Sequence, residues 1–141
     1  MHDLVVLVLV VVVGGLLVLA LVSQRGRAKG LVNGRLAPVG PKPNVVSSEP
    51  GTPPDVQVAP LRATLAEAKR AVERMGGTVI EETDTYVAAT FQSRFFRFID
   101  DVELRDAGGG VVHVRSSSRV GHSDMGVNRK RVERLRGLLE G

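Results

Sequence analysis

The chain has 141 residues, a formal charge of +4, a pI near 10.1, one Tyr, four Phe, no Trp and no Cys. That length holds one ordinary domain and an appendage. The lack of cysteine excludes a disulfide scaffold, a thiolate-held zinc or iron–sulfur site and a thiol nucleophile, and leaves the redox compartment unread.

Leu4 to Val22 is an unbroken run without a charged or hydrogen-bonding side chain. As a helix it reaches about 28 Å, close to the thickness of a bilayer's hydrocarbon core. A cleavable signal sequence carries its basic residues before a shorter apolar stretch and small residues before the cut. Here Asp3 precedes the run, the basic residues follow it, and Ala20-Leu21-Val22 ends in a bulky residue. Residues 1–22 are therefore expected to be a retained single-pass anchor, with 4–22 in the membrane. Arg25, Arg27, Lys29, Arg35 and Lys42 follow, and the retention of positive charge on the cytoplasmic side places the body there. The alternatives are an extracytoplasmic body, or a secreted one if the segment is cleaved.

All seven prolines fall between Pro38 and Pro60, mixed with Gly, Ser and Asn. Such a stretch suits neither a helix nor a central strand, so residues 23–59 are expected to be a Pro/Gly-rich basic linker. The folded body is then 60–141.

Pro60 opens a helical pattern in which Leu61, Leu65, Ala68, Val72 and Met75 share one face, and Gly76-Gly77 ends it. Thr78–Thr83 and Thr85–Gln92 read as strands with Asp84 in the turn. The five aromatics lie within Tyr86–Phe98 and are expected to fill the core opposite the helix. Strands over Arg97–Arg105 and Val111–Ser118 form a hairpin closed by Asp106–Gly110. Pairing Arg105 with Val111 puts Asp100, Val102 and Leu104 with Val112, Val114 and Ser116 on one face. It sets Glu103 opposite His113 and Asp101 opposite Arg115 on the other. A last helix is expected from Asp124 or Val127 to Leu139, with Val132 and Leu135 inward. The fold class is α+β: an N-terminal transmembrane helix, then helix, four-stranded antiparallel meander and C-terminal helix.

The polar string SSSRVGHSDMGVNRKR at 116–131 is too rich in hydroxyls and guanidiniums for a core. With FRFIDDVELRD at 96–106 and PNVVSS at 43–48, it resembles DUF1499, a family named for its unknown function. The resemblance covers about 43–141. It implies a fold and a recurrent polar cluster and supplies no established reaction. Val45 stands where the family usually carries Cys, so any thiol role at that position is absent.

Asp100 and Asp101 point to opposite faces of a strand and cannot serve one substrate as acid and base. Asp101 with Arg115, and Glu103 with His113, are expected as cross-strand ion pairs. Asp100, on the apolar face, needs a partner from Ser116, Ser118, Arg119 or Arg129. His113, His122 and Asp124 match no metal-ligand spacing, and the serines have no evident base. No catalytic residue, metal or cofactor is expected. The candidate ligand-binding surface is Asp100, Arg115, Ser116, Ser118, Arg119, Asp124, Asn128 and Arg129, with a purely structural clasp as the competing reading. Arg129-Lys130-Arg131 at a helix start suits an anion.

The reading is a membrane-anchored, non-catalytic ligand-binding or scaffold domain. The alternatives are a hydrolase-like enzyme with a cleft around Asp100 and Arg119, and a structural partner of another membrane protein. The expected partners are the bilayer through 4–22, anionic lipid head groups through Arg25, Arg27 and Lys29, and an anionic small ligand or a membrane protein. The charge is segregated: residues 44–141 carry as many acids as bases, and the excess lies in the first 43. The basic pI is thus a juxtamembrane signature, worth about 1 kcal/mol per residue at an anionic surface. No nucleic-acid partner is expected.

Overall fold

A computed structural model describes all 141 residues. Helix α1 spans His2–Arg25 and is long and apolar enough to cross a membrane, with a mean hydropathy of 3.4. Only Ala20 and Ser23 of it are buried, as befits a helix with an apolar face all round and no soluble core around it.

Eight short strands follow or interleave with two more helices: β1 Leu31–Val32, β2 Arg35–Leu36, β3 Val45–Ser47, β4 Leu61–Arg62, α2 Leu65–Arg74, β5 Thr78–Glu82, β6 Tyr86–Gln92, β7 Ile99–Gly108, β8 Val111–Ser118 and α3 Val127–Glu140. Strands β5 to β8 form the expected antiparallel meander. The sheet is nevertheless six-stranded, in the order β3-β8-β7-β6-β5, with β4 also on β8. Strands β3 and β4 divide the free edge of β8, pairing with 115–117 and 111–112 respectively. That edge would otherwise present unpaired backbone groups.

The expected linker therefore needs correction. Val45, Val46 and Ser47 are buried in the sheet, and a 3-10 turn at Pro54–Val56 follows them. The prolines sit beside strand β3 rather than in it, where no ladder N–H is needed. The next helix also starts later than Pro60. Leu61 and Arg62 are strand, and Thr64 caps α2 through a capping box with Glu67.

Helices α2 and α3 cover one face of the sheet. Fifteen buried residues form the core between them, all Val, Leu or Ala, among them Leu61, Ala68, Val72, Val87, Val102, Leu104, Val114, Val132 and Leu135. The aromatics expected there are elsewhere. Tyr86 is buried on the opposite face, Phe91 packs at the core's margin, and Phe95 and Phe96 are exposed. Alanines at 68, 71 and 89 and the Val and Leu side chains fill this layer, with Phe91 at its margin.

The hairpin keeps the expected faces and shifts its partners. Asp100 pairs with Ser118, Val102 with Ser116, Glu103 with Arg115 and Arg105 with His113, with a bulge between Asp106 and Gly108. Because the shift is two residues, every side chain keeps its face while the cross-strand ion pairs change.

Candidate functional site

The sheet face away from the helices carries Asp101, Glu103 and Arg105 of β7 and His113, Arg115 and Ser117 of β8. The chain leaving α1 folds back over it, with Leu36 and Ala28 packed on Tyr86 and Ala88. Charged groups under such a cover must be paired, and three ion pairs do this in a row.

The first is at the α1 end. Arg119 holds Asp101 with two hydrogen bonds of 2.8 Å and donates its remaining Nη1 to the carbonyls of Ser23 and Gly26, at 3.1 and 2.6 Å. A side chain at Gly26 would meet Arg119 Cδ at 2.8 Å, so the glycine leaves room for the guanidinium. The hydrogen bond to Asp101 raises the Arg119 pKa, more than burial lowers it. The last turn of α1 is thus tied to the sheet, and Ser23 Oγ also accepts the N–H of Ile99 at 2.7 Å.

The second pair is in the middle. Glu103, fully buried, accepts from Tyr86 Oη at 2.7 Å, from the Gly30 N–H at 2.8 Å and from Arg115 Nη1 at 3.3 Å. Arg115 also donates Nε to the Ala37 carbonyl at 3.0 Å. Burial, then the hydrogen bond to Glu103, pushes the Tyr86 phenol's pKa far up. The third pair is Arg105 with Glu49, at 2.6 and 3.1 Å, and Glu49 also accepts the Leu36 N–H at 2.9 Å. Burial raises the Glu49 pKa, but the bonds from Arg105 and Leu36 outweigh it and hold the carboxyl below its ordinary value. His113 Nδ1 lies 3.0 Å from Ser48 Oγ, and burial lowers its pKa.

Between the juxtamembrane segment and the sheet lies a cavity of about 370 Å³. Its walls include Arg27, Lys29, Lys42, Arg115 and Arg119 against one carboxylate, Asp101, with Asn44, Ser117 and Ser118 adding polar groups. Arg115 and Arg119 are already paired, whereas Arg27, Lys29 and Lys42 are exposed and make no ion pair. The unneutralised charge in the cavity is therefore positive. Val45 lines the same cavity.

The other predicted residues lie on the helix face. Asn128, fully buried, donates to the Asn44 carbonyl, Ser118 Oγ and Asp124 Oδ2 at 3.1, 2.9 and 2.7 Å, and accepts from Ser116 Oγ and Arg131 at 2.7 and 2.8 Å. Asp124 accepts the N–H groups of Gly126 and Asn128 at the start of α3. Those bonds and the Asn128 amide hold its pKa low despite burial, which acts to raise it. Arg129 donates to the carbonyls of Asp55 and Gln57.

The predicted cluster thus separates. Asp100 is paired with Arg131 at 2.7 Å, a partner outside the expected set, and faces the helices. Arg119 faces the other side of the sheet and pairs with Asp101. A cleft built from Asp100 and Arg119 is excluded, since the sheet lies between them. Asp101 takes Arg119 rather than Arg115, and Glu103 takes Arg115 rather than His113. Sequence reasoning missed Glu49, Tyr86 and Arg105, named Arg131 for an anion where it holds Asp100 instead, and assigned Lys42 and Asn44 to the linker. The signal for the last two was PNVVSS, which is as regular as the other motifs yet sits in the Pro-rich stretch.

The family model described as a protein of unknown function (DUF1499) matches residues 35–139. No curated protein matches the chain.

Proposed function

The chain belongs to the DUF1499 family, and on that basis we propose that it is a membrane-anchored, non-catalytic binding domain that takes an anionic group in the cavity beside its anchor. One observation carries this reading: Arg27, Lys29 and Lys42, unpaired, converge on a cavity whose only carboxylate is engaged by Arg119. A phosphate or carboxylate there gains charge-assisted hydrogen bonds from cations that have no other partner. Ser117 Oγ accepts from Arg115 Nη1 and keeps its O–H to donate to such an anion. Each buried carboxylate already holds an arginine, so the cavity favours binding over proton transfer. The body is on the cytoplasmic side in this reading, where the basic segment meets anionic head groups.

The test is thermal unfolding of the full chain in lipid nanodiscs. Bound ligand stabilises by mass action, so tenfold excess over Kd adds about 1.4 kcal/mol. A midpoint raised by inorganic phosphate in neutral discs marks a soluble anion, and one raised only by anionic lipid marks a head group. The Lys29→Ala/Lys42→Ala variant is expected to keep the unliganded midpoint, since both side chains are exposed, and to lose the rise. No rise in either disc, or an equal rise in the variant, overturns the reading.

A further inference from the structure

The loop between β6 and β7 exposes large apolar rings that the core does not use. Phe95 is 88% and Phe96 40% exposed, and Phe96 stacks on Phe98 with centroids 5.7 Å apart. Arg94 and Arg97 alternate with them and are exposed. The loop is closed rather than loose. Ser93 N–H donates to the Phe98 carbonyl and Phe98 N–H to Ser93 Oγ, both at 2.8 Å.

Its place relative to the anchor follows from contacts along β7. Glu103 meets Gly30, and Asp101 meets Arg119, which holds Ser23 and Gly26. Ile99 meets Ser23 itself, just past the apolar run of α1. Moving back along β7 is therefore moving back toward the membrane helix, and the next residues in that direction are Phe98 to Ser93. Phe beside Lys or Arg settles at a bilayer's surface with the ring in the headgroup–acyl boundary and the charge at the head groups.

We propose that the Ser93–Phe98 loop inserts Phe95 and Phe96 into the lipid surface beside α1, a second membrane contact that fixes the body's orientation on the bilayer. The proposal rests on α1 being a membrane anchor, and the occupant of the patch is lipid rather than protein. The chain has no Trp, so one introduced Trp is a unique reporter. Full-length Phe95→Trp, Val13→Trp and Ala107→Trp are reconstituted in phosphatidylcholine–phosphatidylglycerol vesicles containing nitroxide lipids labelled near the head group or at mid-chain. Ala107 lies at the far end of β7 and is exposed. The expected result is mid-chain quenching of Val13→Trp, and head-group-label quenching of Phe95→Trp at least about twofold stronger than of Ala107→Trp. With Val13→Trp quenched, a Phe95→Trp signal no more quenched than Ala107→Trp overturns the loop proposal and leaves the anchor standing. An unquenched Val13→Trp overturns the anchor and the proposal together.

Discussion

Asn128 is the side chain through which α3, β8 and the segment before β3 are joined. Its amide makes five hydrogen bonds with no exposure. An alanine there removes the acceptor of the buried Ser116 O–H and one donor from the Asn44 carbonyl, which keeps the Ser118 N–H, and Arg131 keeps only its bonds to Asp100 and Ser116. A buried O–H left without an acceptor costs about 1–3 kcal/mol and each further hydrogen bond lost about 0.5–1.5 kcal/mol, so Asn128→Ala is expected to lose about 3 kcal/mol. In a domain of this size that lowers the unfolding midpoint by roughly 10–20 °C. Phosphate binding by the folded Asn128→Ala protein is expected to persist, because Asn128 does not line the cavity. A midpoint unchanged within a degree or two would show that Asn128 is not the junction. The importance of Asn128 was legible in its motif, but its role was not. Whether a polar residue is buried depends on what packs over it, and the covering piece, Asn44, lies 84 residues away.

Strand parity, the start of β5, the Gly-rich turn and the end of α3 all follow from local pattern, and each lies close to where the sequence places it. What failed was set by distant pairing. The β7–β8 partners lie two residues from the expected register, with a one-residue bulge after Asp106 beside the turn, and no local residue choice distinguishes the two registers because the faces agree. Likewise β3 is three residues long and is strand only because β8 offers an edge. These covering elements are held by groups that titrate. Glu49, with ordinary value 4.5, and His113, with 6.5, both have lowered values in the folded protein. A depressed folded pKa means fewer bound protons folded than unfolded. The stability is therefore full above the ordinary value and is lost as pH falls through the folded one. Burial is the main cause for His113, with Arg105 and Arg35 opposing its charge and Glu49 favouring it. The unfolding midpoint is expected to fall in two stages on acidification, the first beginning below pH 6.5 and the second below 4.5. His113→Gln should remove the first stage and Glu49→Gln the loss that begins below 4.5, leaving the one that Asp124 contributes below its ordinary 3.8. A midpoint independent of pH between 7 and about 4 would contradict the assignment of both groups.

At the scale of the whole molecule, charge, clamp and cavity share one end. The residues from Arg25 to Lys42 carry the net positive charge, fold back over the sheet and line the cavity. Arg119 and Ser23 bind this end of the body to the last turn of α1. A body tethered by a free spacer would sample many orientations, whereas one clamped at Ser23 and Gly26 would, with α1 in a bilayer, present its basic cavity to the membrane surface beside the basic flank. In the proposed reading the positive charge thereby sets which side of the membrane the cavity faces. Since the chain has no cysteine, a single introduced thiol reports its own side. With a membrane-impermeant maleimide, Lys130→Cys on the exposed face of α3 is expected to stay unlabelled on intact cells and to react after permeabilisation. His2→Cys, before the span, is expected to react on intact cells. Labelling of Lys130→Cys from outside would place the body and its cavity on the extracytoplasmic side, where cytoplasmic anionic head groups could not be its ligand. The cation cluster would then have to serve a soluble anion, and the phosphate arm of the nanodisc experiment would be the one to show it.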